Sequence, residues 1–136
     1  MMAVYIDTGI FVAANNRSDS NHVRAVKLLM NALNGVFGLV YTSDYVIDEA
    51  ITTALARTRS HILAANTGSY IIQSPRIRKL YTGPEEFSAA WETFLQLKDK
   101  PMSFTDCVSL VHIRRHRIHR IMSFDSGFDV FVERVS

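Results

Sequence analysis

Short unbroken apolar runs alternate along this chain with apolar positions at helical spacing. The first run, Val4-Tyr5-Ile6, ends abruptly on Asp7-Thr8-Gly9. A short, continuously apolar run predicts a strand buried on both faces, as in a parallel sheet covered by helices. Gly9 to Ala14 suits one or two helical turns, and Asn15 to Asn21 is a polar loop. Val23, Val26, Leu29, Met30 and Leu33 keep helical spacing, from a cap near Ser20 to a stop at Asn34-Gly35. Leu39 to Thr42 predicts a second strand. Ser43-Asp44 then caps a helix with the apolar face Val46, Ile47, Ala50, Ile51, Ala54 and Leu55. Arg57 to Ser60 interrupts the pattern, and a further helix is expected from His61 to Gln73. A third strand is expected over Ile77 to Thr82. Pro84 suits a first helical position, with Glu85 and Glu86 favoured by the helix dipole. Ser103 to Asp106 opens the next helix, and Ile118 to Phe124 predicts a fourth strand. A turn at Asp125-Ser126-Gly127, a helical turn over Phe128 to Phe131 and a closing strand over Val132 to Val135 complete the chain.

This alternation predicts an α/β fold, a three-layer α/β/α arrangement with a mostly parallel central sheet, and a single domain over residues 1–136. Composition narrows the class. An apolar fraction of 48% and a charged fraction of 21% fit a globular protein. A formal charge of +2 permits a polyanionic partner without demanding one. The lone Cys107 cannot form an internal disulfide, which points to a reducing compartment. No basic, apolar leader opens the chain, and no apolar stretch approaches the roughly 20 residues that span a bilayer. A soluble, cytoplasmic protein is expected, with no membrane partner.

In open α/β sheets, ligands bind outside the carboxyl ends of the strands. Asp7 ends the first predicted strand and Asp125 the fourth, while Asp106 lies in the first turn of a helix that starts at the same edge. These three carboxylates can converge. A fourth acid, Asp48 or Glu49, comes from the helix after the second strand. On a helical wheel they lie about 110° and 150° from the centre of the apolar stripe, so periodicity does not choose between them. Each acid also has a plain structural explanation. Asp7 or Thr8 could cap a helix. Ser103-x-x-Asp106 resembles a capping box. Asp125-Ser126-Gly127 is good turn chemistry. Asp48, Glu49 and Asp129 suit the dipole near a helix start. The conjunction argues for function: acids gathered at one edge repel one another unless a cation joins them, and oxygen-rich acidic sites suit Mg2+ or Mn2+.

Taken together, Asp7-Thr8, Val46-x-x-Glu49, Ser103-Phe104-Thr105-Asp106 and Ser123-Phe124-Asp125-Ser126-Gly127-Phe128-Asp129 resemble the motifs of the PIN domain family. These are small metal-dependent ribonucleases that include the VapC-type toxins. Each motif is weak alone, but their order and intervals are specific, and the resemblance covers nearly the whole chain. It implies that Asp7, Glu49, Asp106 and Asp125 are the metal-binding, catalytic acids, with Asp129 as an auxiliary ligand and Thr8 and Ser103 as supporting hydroxyls. It selects Glu49 over Asp48. It further implies Mg2+- or Mn2+-assisted hydrolysis of an RNA phosphodiester, a homodimer, and a small antitoxin as partner.

Arg114, Arg115, His116, Arg117, His119 and Arg120 form the densest basic run. Arg114 to Arg117 should lie about 12–17 Å along the helix from Asp106, toward the opposite edge, so a structural role is expected. Asn15, Asn16, Arg17, Lys98 and Lys100 lie in loops that could flank the acids and are better candidates for RNA phosphates, with Arg57 and Arg59 as further ones. His22, His61 and His112 lack metal-ligand spacing. Other functions fit less well. Asp7-Thr8-Gly9 also occurs in aspartic proteases, but those are nearly all strand. A phosphotransfer enzyme would want a second aspartate where Gly9 stands. A PIN-like module that binds RNA or protein without cleaving is the closest rival, and metal-dependent cleavage separates the two.

Overall fold

The computed structural model describes residues 2–136. The first half of the chain runs β1 (Ala3–Ile6), α1 (Thr8–Ala14), α2 (His22–Leu33), β2 (Leu39–Ser43), α3 (Asp44–Thr58), α4 (His61–Ile72) and β3 (Ile77–Leu80). The second half runs α5 (Pro84–Gln96), α6 (Phe104–Arg115), β4 (Arg120–Met122), a 3-10 turn (Ser126–Val130) and β5 (Glu133–Val135). The strands form one sheet in the order β3-β2-β1-β4-β5, and every pairing is parallel. This is the expected α/β architecture.

β1 lies at the centre. Its residues Ala3 to Tyr5 pair with Leu39 to Tyr41 on one side, and Val4 to Ile6 pair with Arg120 to Met122 on the other. All four residues of β1 are buried, as its apolar run requires. The one polar group in the strand is satisfied internally: the Tyr5 hydroxyl donates to Ser43 Oγ at 2.7 Å and lies 2.8 Å from Ser109 Oγ. Gly38 holds the entry to β2. Its φ of +82° is left-handed, and a Cβ there would strike the backbone of Met2.

Helix boundaries follow local chemistry. Ser43 accepts from the Val46 amide at the start of α3, and Ser60 from the Leu63 amide at the start of α4. Ser103 and Asp106 form a reciprocal capping box on α6. Two strands are shorter than their apolar runs suggest. The third stops at Leu80, because Thr82 turns away to donate from both its amide and its hydroxyl to Asp44. The fourth begins only at Arg120: the chain leaves α6 through Arg117 at a left-handed φ of 53°, and the Ile118 amide still bonds back to Ile113.

From β1 the chain builds outward through β2 to β3, then crosses back to place β4 on the other side of β1. The direction of winding therefore reverses between β1 and β4. The crevice outside the carboxyl ends of two such strands is where open α/β sheets bind ligands.

Candidate active site

Asp7 leaves β1 at that reversal point. Its amide continues the ladder by donating to Met122 O at 3.0 Å, which fixes the acid beside the end of β4. Just beyond β4, the buried Ser123 hydroxyl donates to Asp7 Oδ2 at 2.7 Å. The same Ser123 oxygen accepts from the Asp125 amide at 3.0 Å. Asp125 Oδ1 in turn accepts from the Gly127 amide at 2.8 Å. One hydroxyl thus ties the first acid to the loop that carries the last.

A cavity of about 250 Å³ opens on this edge. Its walls bring together Asp7 and Thr8 from the β1 end, Glu49 from α3, Ser103 and Asp106 from the start of α6, and Asp125. Four acids from four distant stretches therefore share one space, as expected. Asp106 Oδ2 is engaged in the capping box, accepting from the Ser103 amide at 3.0 Å. Structural capping and a place in the cleft coexist there. Asp48 is exposed and outside the cleft, while Glu49, the next residue, lines it.

The cleft holds its negative charge at a cost. Burial pushes the Asp7 carboxyl up to about 7, and repulsion from Asp106 and Glu49 adds to it against the Ser123 hydrogen bond. Asp106 is also raised, first by burial, with Glu49 and Asp125 adding to it. Asp7 Oδ1 and Thr8 Oγ1 are both buried without any hydrogen-bond partner. Two orphaned oxygens beside mutually repelling carboxylates fit a hard divalent cation, which supplies the missing ligand and charge. Among the described residues, no group of three or more His, Cys, Asp or Glu side chains stands close enough in this structure to hold one metal ion together. The acids stand around the cavity rather than in contact.

The profile of the family described as PIN domain matches residues 4–133. The chain belongs to the PIN domain family. It is 27% identical over 130 residues to a VapC ribonuclease of Archaeoglobus fulgidus, covering 95% of this chain and 81% of that one. It is also 27% identical over 132 residues to the 23S rRNA-specific endonuclease VapC20 of Mycobacterium tuberculosis, covering 96% of each. The crystal structure of VapC20, a sarcin-ricin loop cleaving toxin, superposes with a TM-score of 0.83 at 24% identity over 93% of both chains. VapBC2 of Rickettsia felis, bound to a promoter DNA fragment, shares the fold at a TM-score of 0.66 and 14% identity, over 98% of each chain.

The PIN scaffold uses some of the expected site residues elsewhere. Asp129 lies outside the cleft lining. Arg134 grips both its oxygens, at 2.7 and 3.3 Å, and this pairing holds its carboxyl below the usual range. Arg134 also donates to Ser123 O at 3.1 Å, so Asp129 reaches the site only through the backbone that carries Ser123. The Asn15 side-chain amide donates to Phe11 O at 2.8 Å and closes α1. Arg17 is exposed and outside the cleft. Lys100 lines a small cavity that adjoins the acids at Asp125, and Lys98 a groove beyond it. In the basic run, Arg115 pairs with Glu85 and Glu86, and Arg120 with Glu133, in keeping with a structural role.

Sequence reasoning missed Ser123 as a site residue in its own right, although a hydroxyl closing the run Ile121-Met122 is visible in the sequence. It also missed Thr53. Glu49, Thr53 and Arg57 recur one helical turn apart on α3 and all line the cleft. Arg57 makes no ion pair among the described residues, although it shares the cavity with four acids.

Proposed function

We propose that this PIN domain is a divalent-metal-dependent endoribonuclease and the toxin of a toxin–antitoxin pair. The observation that carries this reading is the convergence of Asp7, Glu49, Asp106 and Asp125 on one cavity in which Asp7 keeps an unpartnered buried oxygen. Those four acids are the catalytic, metal-holding set, with Mg2+ or Mn2+ as the cation. Asp129 is at most an outer support, through Arg134. A cation held there would supply charge neutralisation and a lowered pKa for bound water, the chemistry that phosphodiester hydrolysis needs. The chain's own residues do the rest. Ser123 orients Asp7. Ser103 fixes Asp106 through the capping box, leaving its other oxygen for the cleft. Thr8 presents a hydroxyl to the same space.

Arg57 is the cleft cation best placed to take a phosphate of the RNA strand, with Lys100 and Lys98 on the side beyond Asp125. Arg17 is a more remote candidate. The printed activities of the relatives, a VapC ribonuclease and a 23S rRNA-specific endonuclease, support RNA as substrate. The VapBC2 likeness supports a small antitoxin as partner. The acting form is a homodimer. A cytoplasmic location accords with RNA as the substrate. No helix among the described residues is long and apolar enough to cross a membrane.

The test is cleavage of single-stranded RNA in Mg2+ or Mn2+. Loss of cleavage on chelation and in Asp7→Asn is the expected result. RNA left intact by the metal-loaded protein would return the chain to the non-catalytic binding module.

A further inference from the structure

The acidic cleft does not end at Asp125. That residue is also a wall of a second, more enclosed cavity of about 130 Å³, lined by Lys100, Pro101, Met102 and Gly127. Lys100, Pro101 and Met102 in turn line a third, more open cavity of about 440 Å³ with Phe94, Leu95 and Lys98. The three spaces form one path, joined first at Asp125 and then at the Lys100–Met102 stretch. Resting on the ribonuclease reading, we propose that the enclosed cavity is a base-binding subsite for an unpaired nucleotide next to the scissile phosphate, with the following nucleotide lying over Phe94 and Leu95.

Three features favour a nucleotide as occupant. The passage depends on a residue without a side chain: a Cβ on Gly127 would come within 3.0 Å of Asp125 Oδ1 and 3.6 Å of Met102 Sδ, narrowing the enclosed cavity where it meets the cleft. The enclosed cavity has Pro101 and Met102 as apolar walls beside the charged Lys100 and Asp125, and the Phe94 ring borders the open cavity beyond. Pro101 and Met102 offer flat aliphatic and polarizable surface, and Phe94 stacks on Trp91 at an interplanar angle of 14°. Every base has a π-face that such surfaces accept without reading sequence. Two cations border the path. Lys98 and Lys100 are exposed and have no carboxylate partner among the described residues, while Lys100 Nζ lies 5.9 Å from the centre of the Phe131 ring. An apolar wall at Pro101 and Met102 with exposed ammonium groups beside it matches a base with phosphates on either side. It also continues the strand's course from Arg57, across the acids, to Lys100.

The experiment is fluorescence anisotropy with 5′-fluorescein hexauridylate and hexaadenylate, and with uridylate derivatives each lacking one base. It is run in CaCl2, with gel electrophoresis to confirm intact RNA. Removing the base at one position should weaken binding about tenfold, the scale of a single stacked base, while removal elsewhere costs less. Leu95→Ala and Lys100→Ala change exposed side chains, so folding is not at stake. Each should weaken binding of hexauridylate and shrink the abasic penalty, as a double-mutant cycle would report. The subsite is refuted if no abasic position carries a penalty, if the penalty is unchanged in both variants, or if neither hexamer binds measurably. It is also refuted if Leu95→Ala converts a dimer to a monomer by light scattering, since a second copy then covers the groove. Cleavage in Mg2+ is scored separately. Cutting without a base penalty removes the subsite alone, and a base penalty without cutting removes the nuclease reading alone.

Discussion

Ser123 Oγ lies 2.7 Å from Asp7 Oδ2, a hydrogen bond between residues 116 positions apart, and Ser123 is fully buried. The bond favours the charged carboxylate in a place where burial and two neighbouring acids oppose it. Ser123→Ala removes the one side-chain donor to the Asp7 carboxylate. The stability cost should be about 1–3 kcal/mol at pH values where Asp7 is ionised, the penalty for an unsatisfied buried acceptor. The Asp7 carboxyl should rise further, so the acidic limb of the pH–activity profile should move to higher pH. Activity should fall about 10–100-fold, as when a metal ligand loses its supporting partner. An unmoved acidic limb would show that Ser123 only fills space.

Asp7 titrates near 7 in the folded chain, against an ordinary value of 3.8. The folded state therefore holds a proton that the unfolded chain gives up over this interval. In the metal-free protein this contribution to stability is fully present below about pH 4 and is lost as pH rises through about 7. A cation competes with that proton. The gain in Tm on adding Mg2+ or Mn2+ should therefore be larger at pH 8 than at pH 5. Asp7→Asn removes the charge: its metal-free Tm should exceed that of the unaltered protein at pH 8, the metal-induced gain should disappear, and cleavage should drop about a hundredfold or more. Calorimetric scans at the two pH values check both halves, and equal metal-induced gains at pH 5 and 8 would contradict them.

The sheet was largely legible because its signals are local. The unbroken apolar Val4-Tyr5-Ile6 announces a strand buried on both faces, and the Ser43 and Ser103 caps set helix starts to within a residue or two. Asp7, Asp106 and Asp125 could be brought together because a parallel sheet puts strand ends and following helix starts at one edge. Glu49 could not be separated from Asp48 by the wheel, because both fall off the apolar stripe. What divides them is how α3, which packs on α1, turns Glu49 toward the cleft, a tertiary fact. The ion pair of Asp129 could not be read from the sequence for a similar reason. Its partner, Arg134, comes from β5, and nothing in the turn around Asp129 shows that a guanidinium will claim it. Asn15 reads as a loop residue, yet it spends its amide on the last turn of α1, a role that Asn takes at helix ends as readily as it takes a ligand.

Asp125 and Asp129 should therefore behave differently, although they share a short loop and a charge. Asp125 borders the cleft, and its carboxyl also holds the Gly127 amide. Asp129 is exposed and neutralised by Arg134. Asp125→Asn should reduce cleavage sharply while keeping the amide acceptor and hence the fold. Asp129→Asn should leave cleavage near that of the unaltered protein and should not change Mg2+ affinity, because an exposed ion pair contributes little. Isothermal titration with Mg2+ and a cleavage assay on the two variants decide it. Equal losses of metal binding would place Asp129 among the ligands after all.

Arg57 is expected to act through phosphate rather than through a protein carboxylate. Arg115, Arg120 and Arg134 each have an acidic partner, whereas Arg57 has none among the described residues and lines the cleft. On a single strand, a cation that neutralises one phosphate contributes about 0.7 to the slope of log affinity against log salt. Arg57→Ala should lower that slope by about 0.7 for a single strand and weaken RNA binding most at low salt. Arg57→Lys should restore the slope, because the charge returns, but not the full affinity, because an ammonium cannot grip a phosphate in bidentate fashion. Arg17→Ala, outside the cleft, should change the slope less. If Arg57→Ala bound RNA with an unaltered slope, the cation would be serving only the C-terminal dipole of α3, where it occupies the last turn.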